Sequence, residues 1–234
     1  MRFAAWSIDV TYEAVFATPA FDLASRNVSA LRALYEAISP RFPISMQNLQ
    51  ASGGTSVADL RVRATLFNGH GVLEISAERL SAVFTQLRSR SDTEIAKDCV
   101  RLAQAALRTA LPDTRNREEN INCVAYLELV NDSQSANDYL DNLMSKQKII
   151  RPGSFNASDV HYGLSAEIRD SAAGWKTSLR VDAARFDPRI LIINCHTTYP
   201  AEGTLRSFED QAGHVEKILE TATRELGLEM AKTS

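Results

Sequence analysis

Long runs of strict period-two alternation constrain this chain more than any other feature. From Trp6 to Phe16, the residues Trp6, Ile8, Val10, Tyr12, Ala14 and Phe16 fall on one side of an extended segment, and Ser7, Asp9, Thr11 and Glu13 on the other. Over 57–67, Ala58, Leu60, Val62, Ala64 and Leu66 alternate with Asp59, Arg61, Arg63 and Thr65. A helix would scatter these sets around its circumference, whereas a pleated strand sorts them onto two faces. Half-buried strands of an antiparallel sheet, covered on one side, follow from that pattern.

Helical spacing appears between the strands. Residues 27–39 place Val28, Leu31, Leu34, Tyr35 and Ile38 on one stripe behind an Asn27 cap, with Pro40 and Pro43 as the stop. Ser91-Asp92-Thr93-Glu94 reads as a capping box for a helix running to Leu111, closed by Pro112. Ser52-Gly53-Gly54-Thr55 and Asn68-Gly69 read as turns between strands, the latter before a strand Val72–Ser76. The second half runs similarly. Ile121–Val130 reads as a strand, Ser133–Lys146 as a helix, and Val160, Tyr162, Leu164, Ala166 and Ile168 as an alternating strand. Trp175–Ala183 and Arg189–Thr197 read as two more strands, and 204–226 as a long helix ended by Gly227.

The expected fold class is therefore α+β: two tandem βαβββα repeats forming one antiparallel sheet with helices packed on one face. The first repeat takes 1–112, a charged connecting segment 113–120, and the second repeat 121–234. Leu60-Arg61-Val62 and Leu179-Arg180-Val181, each in the third strand of its half, add a local match. Joining the two half-sheets edge to edge would hide an exposed edge of each, a physical reason for duplication.

The order of elements resembles a sporadically distributed family of uncharacterised bacterial proteins of about 250 residues. The similar stretch runs from Gly71 to Leu140. It comprises Val72-Leu73-Glu74-Ile75-Ser76, a connecting segment carrying Phe84, the amphipathic helix, the strand Ile121–Val130, and Asp138-Tyr139-Leu140. The resemblance implies an origin in mobile elements or defence loci. It brings no catalytic motif and so assigns no site residue.

Catalytic signatures are absent from the sequence. There is no Gly-x-x-x-x-Gly-Lys-Ser/Thr and no Gly-x-Gly-x-x-Gly, and Ser52–Ser56 reads as a hairpin rather than a phosphate cradle. Cys195 and His196 are strand neighbours and so point to opposite faces, Cys195 as a buried small hydrophobe with Leu191 and Ile193. Cys123 could approach Cys195 if their strands adjoin, but ligand pairs such as Cys-x-x-Cys are missing, so no metal or cofactor is implied. His70 sits in a Gly-His-Gly turn, His214 on the solvent side of a helix, and His161 alternates outward beside Tyr162. The carboxylate pairs Asp138/Asp141 and Glu216/Glu220 read as solvated helix faces.

Charge is unevenly distributed. The chain carries 26 basic and 29 acidic side chains, yet residues 1–117 have a net charge of +3 and residues 118–234 of −6. With pI near 5.9 the whole lacks the strongly basic signature of most nucleic-acid binders. No apolar run reaches the roughly 18 residues of a membrane span, the N-terminus turns polar too soon for a signal peptide, and three cysteines suit a reducing cytoplasm.

If helices cover one face, the other must meet water or a partner. Its candidate residues are Asp59, Arg61, Arg63, His161, Glu167, Arg169, Lys176, Arg180 and Asp182, mixed in sign. That favours a non-catalytic binding or assembly module, acting through a protein partner or self-association. The alternatives are a nucleic-acid-binding saddle using Arg61, Arg63, Arg169 and Arg180, and an enzyme or small-ligand binder with a pocket between sheet and helices.

Overall fold

A computed structural model describes residues 2–53, 56–130, 135–146, 163–203 and 207–230. The chain runs β1 (Arg2–Phe16), α1 (Leu23–Ile38), β2 (Leu49–Ser52), β3 (Arg61–Leu66), β4 (Gly71–Ser76), β5 (Arg79–Leu87), α2 (Arg90–Ala110). It continues β6 (Asn116–Leu129), α3 (Ala136–Lys146), β7 (Gly163–Asp170), β8 (Trp175–Ala183), β9 (Ile190–Pro200), α4 (Phe208–Glu225) and β10 (Glu229–Met230). These ten strands form one sheet in the order β2-β3-β4-β5-β1-β6-β9-β8-β7, with β10 pairing in parallel beside the start of β1. The other pairings are antiparallel.

The seam is the antiparallel β1–β6 pair, which runs from Phe3 opposite Leu129 to Phe16 opposite Asn116. It interrupts its ladder beside residue 6, between Ala5 and Ser7, with a second register shift between Val15 and Phe16. An extra residue at the first break reverses the alternation, so odd-numbered Phe3 before it and even-numbered Tyr12 after it both reach the covered face. Tyr12, Ala14 and Phe16 stay buried with Ile121 and Cys123, while Asp9, Thr11 and Glu13 face outward.

The four described helices all lie on that apolar face. Leu23, Ala30, Leu34 and Ile38 of α1 pack with Val62 and Ala64, and Ala96, Cys99, Val100 and Ala103 of α2 join Leu73, Leu80 and Phe84. Phe208, Ala212 and Val215 of α4 extend the same cluster towards Cys195 and Tyr199. Ala136, Tyr139 and Leu140 of α3 close on Val181, Leu191 and Ile193. Ile8, Leu179 and Leu219 pack against both clusters, so the covered face is continuous. The expected one-sided α+β layering is what the structure has.

Several boundaries differ from the expectation. Four strands, not three, lie between α1 and α2, because residues 79–87 are a strand and Phe84 is a buried strand residue rather than part of a connector. The turn before it, at Ala77-Glu78, carries no Gly, Pro or Asn, and its amides are held by Ser76 Oγ, which accepts from Glu78 N and Arg79 N. α1 starts four residues earlier, so Asn27 lies inside it and Asp22 takes the N-cap place. α2 is capped by Ser89 with Asp92 as the reciprocal partner, two residues before the Ser91 expected. β6 begins at Asn116, so most of 113–120 is strand. Gly227 ends α4 in a left-handed turn (φ 68°), as expected, its N–H donating to Arg224 O while Leu228 N–H reaches Thr223 O. Ser133, Val160, Tyr162 and Leu205 lie outside the described residues.

Candidate recognition surface

The uncovered face is assembled by register, so its composition follows directly from the strand pairings. One row across nine strands reads Gln50, Arg63, Glu74, Ser81, Glu13, Asn120, Thr198, Lys176, Arg169. The next reads Thr65, Val72, Val83, Thr11, Asn122, His196, Ser178, Glu167. A third crosses Val124, Asn194, Arg180 and Ser165. Amides, hydroxyls and half-buried Val72, Val83, Val124 and Ile192 lie between flanks rich in charge, with the Glu13 and Arg79 pair on the central strands β1 and β5.

Most described cations here lie beside a carboxylate. Arg61 Nη1 lies 3.9 Å from Glu74, Arg79 Nε 3.6 Å from Glu13, and Arg180 Nε 2.6 Å from Asp182. Glu167 holds Arg169 at 2.6 Å and Lys176 at 3.5 Å, and the hydrogen bond from Arg169, followed by the charges of Arg169 and Lys176, keeps its carboxyl below the ordinary range. Arg63 is exposed and makes no ion pair among the described residues. Asp9 is committed elsewhere: its Oδ1 accepts from Gln86 N–H at 2.8 Å, where Gln86 has φ 59°. Asn194 Oδ1 is buried with no hydrogen-bond partner among the described residues, an acceptor left open on this face. Where β8 ends and β9 begins, a hollow of about 550 Å³ opens beside Arg180, Asp182, Ile192 and the exposed Phe186.

The sequence-chosen residues divide between two flanks. Arg61 and Arg63 lie on β3; Glu167, Arg169, Lys176 and Arg180 lie on β7 and β8. Seven strand steps of about 4.8 Å separate β3 from β7, roughly 34 Å. They share a face without forming a cluster. Asp59 sits in an exposed turn before β3, and His161 lies outside the described residues. Asn120, Asn122, Asn194, His196 and Thr198 were missed. Asn122 already lies on the polar side of the expected strand Ile121–Val130; alternation extended through 116–120 would have found Asn120, but that stretch is polar on both faces and reads as a connector.

The covered face carries its own polar groups. Gln104 Nε2 donates to Tyr12 Oη at 2.6 Å, and Asn116 Nδ2 donates to Glu119 Oε1 at 2.7 Å. Burial, with the nearby Glu119 charge second, raises the Tyr12 hydroxyl far above its ordinary value. Glu119 Oε2 is buried and unpartnered among the described residues. Beside this network the hollow between sheet and α2 measures only about 100 Å³. His214 is not on the solvent side of its helix. Its ring packs 4.4 Å from Trp175 and its Nδ1 is 3.0 Å from Tyr199 Oη, and burial, then the Lys217 charge, lowers its pKa from 6.5. Cys195 and His196 do point to opposite faces, one buried and one exposed.

Cys123 and Cys195 are direct cross-strand partners. Burial pushes the Cys123 thiol up to about 12, with Cys195 contributing, and Cys99 likewise to about 12. Such thiols are poor nucleophiles at neutral pH. Among the described residues no group of three His, Cys, Asp or Glu side chains gathers where a metal could be held, and no helix is long and apolar enough to cross a membrane.

No protein-family model and no curated protein matches the chain. Among solved structures it is similar to the TBP of Methanococcus jannaschii, at 15% identity over 96% of this chain and 99% of that one, with a TM-score of 0.32. At that score the likeness leaves the functional reading to the geometry.

Proposed function

We propose that this chain is a non-catalytic recognition module that binds a protein partner across the open face of its sheet. One observation carries the reading: most described cations on that face, Arg61, Arg79, Arg169, Lys176 and Arg180, already lie beside carboxylates of the same face, with Glu167 shared by two of them. A phosphate backbone needs uncompensated cations, because its affinity comes largely from counterion release. A protein surface, by contrast, is matched by interspersed charges around an amide-rich, partly apolar middle.

The tandem origin read from the sequence belongs to the same proposal. It is supported by sheet positions: counting outward from the seam, β5, β4 and β3 in the first half match β9, β8 and β7 in the second. On that alignment Leu60-Arg61-Val62 and Leu179-Arg180-Val181 occupy non-equivalent strands, β3 and β8, so the three-residue match is not part of the support. A role in a bacterial defence or mobile-element system is the setting that the family resemblance implies.

A duplex nucleic acid laid along the face is the second reading, favoured by cations near both flanks and by Arg63, which has no ion pair among the described residues. Photo-crosslinking separates the two. Crosslinkers at Thr11 and Asn122 should capture a protein partner that one at Arg32, on the outer surface of α1, does not. Arg61→Glu with Arg63→Glu should abolish that capture. Capture from Arg32 alone, or tight duplex binding that falls steeply with salt, overturns the protein-partner reading.

A further inference from the structure

Among the described residues the sheet has two outer edges, and they are unlike. β2 is four residues long and carries no charged side chain. β7 is eight residues long, Gly-Leu-Ser-Ala-Glu-Ile-Arg-Asp, and ends the strand order on the other flank. Among the described residues no helix covers it: α3 packs on β8, and Ala166 and Ile168 on the helix side of β7 are exposed, Ile168 at 38%. An edge of this length presents a row of backbone donors and acceptors to any second strand.

We propose that β7 pairs antiparallel with β7 of a second copy of this chain, centred on Ile168, joining two sheets into one across a two-fold axis. The side chains choose both partner and register. When a strand pairs with itself about a dyad perpendicular to the sheet, facing residues share a face and their numbers have a constant even sum. With Ile168 opposite Ile168 the paired span is Ala166–Asp170, Glu167 faces Arg169 of the second copy and Arg169 faces its Glu167, giving two opposite-charge pairs on the open face. The nearest allowed registers, a two-residue slide in either direction that moves the centre to 167 or 169, put Glu167 against Glu167 or Arg169 against Arg169. Directly opposed like charges destabilise a sheet and opposed unlike charges stabilise it, so the 168-centred register is selected over both neighbours. On the helix side the same register sets the two exposed Ile168 side chains against each other. Glu167 already holds Arg169 at 2.6 Å within one chain, both on the open side of the strand and both more than half exposed. Pairing redistributes these charges without burying an uncompensated one. The contact uses the edge and leaves the open face available, so it stands or falls apart from the protein-partner reading.

The test is light-scattering mass on size-exclusion over a concentration series, using the full chain. The unaltered protein should run as a dimer at high concentration. Glu167→Arg and Arg169→Glu should each weaken dimerisation by about tenfold or more, because each replaces both attractive pairs with repulsive ones. Mixing the two single variants should restore a dimer, now a heterodimer. Across its dyad the introduced arginine faces the introduced glutamate, and the retained Arg169 of one copy faces the retained Glu167 of the other. Circular dichroism on each variant confirms that the fold is kept. The proposal is overturned by a monomer at every concentration, by a dimer that both reversals leave intact, or by mixed variants that stay monomeric.

Discussion

The two faces of this sheet are built from the same strands and differ in almost everything else. On the covered face, Leu73, Ile75, Leu80, Phe84, Leu191 and Ile193 are close to fully buried against four helices. On the open face the residues between them are Glu74, Ser81, Thr11, Asn122, Asn194 and His196. The covered face is specified by volume and has little room, its hollow beneath α2 being about 100 Å³. The open face is specified by charge pairing and hydrogen-bonding groups, and no described helix packs against it. Stability therefore resides on one side of the sheet, and the capacity to meet a partner on the other.

Adjacent residues test that division most sharply. Ile193 is 1% exposed, and Ile193→Ala should cost about 2–5 kcal/mol in chemical denaturation, since it removes buried methyl groups and leaves a cavity. Its neighbour Asn194 carries a buried oxygen unpartnered among the described residues, so Asn194→Ala should be near neutral or slightly stabilising. Equal losses at the two positions would mean that the open face contributes to stability as the covered one does. Tyr12→Phe, which removes the hydroxyl accepting from Gln104 on the covered face, should cost about 1–2 kcal/mol.

A smaller effect follows from His214. Its folded pKa lies below the ordinary 6.5, chiefly through burial, so the unfolded chain binds the proton more readily. Stability should be unaffected by this group well above pH 6.5 and should fall as the pH drops through 6.5 towards the lowered folded value. Thermal unfolding of His214→Gln should show a flatter acid limb than the unaltered protein; an unchanged slope would count against the burial of the ring. Smallest of all, Arg79→Ala on the open face should change stability by no more than about 1 kcal/mol, because exposed ion pairs contribute little.

The one-sided sheet was legible in the sequence because alternation survives wherever one face is buried and the other is wet. Trp175–Ala183 alternates in the sequence, and the structure places a strand over that range. Legibility failed where a face changed character. Asn116–Asn120 has polar residues on both sides, one of them Glu119 turned into the covered face, so no alternation marks the start of β6. β5 alternates well through Leu80, Ala82 and Phe84, but its hairpin is closed by a serine hydroxyl rather than by a Gly or Asn turn, and no punctuation separates it from β4. The site fared similarly. Its flanking arginines and lysine stood out by charge, whereas the amides at the middle acquire meaning only once β6 and β9 are neighbours.

Thiol accessibility reads out the two faces of one strand, because Cys195 and His196 are consecutive residues on opposite faces. In the native protein Cys99, Cys123 and Cys195 are all buried, and a maleimide should label none of them until denaturant is added. His196→Cys should add one thiol that reacts at the rate of a solvent-exposed cysteine while the other three stay protected. Rapid native labelling of Cys195, or protection of the thiol introduced at 196, would contradict a sheet covered on one face and open on the other.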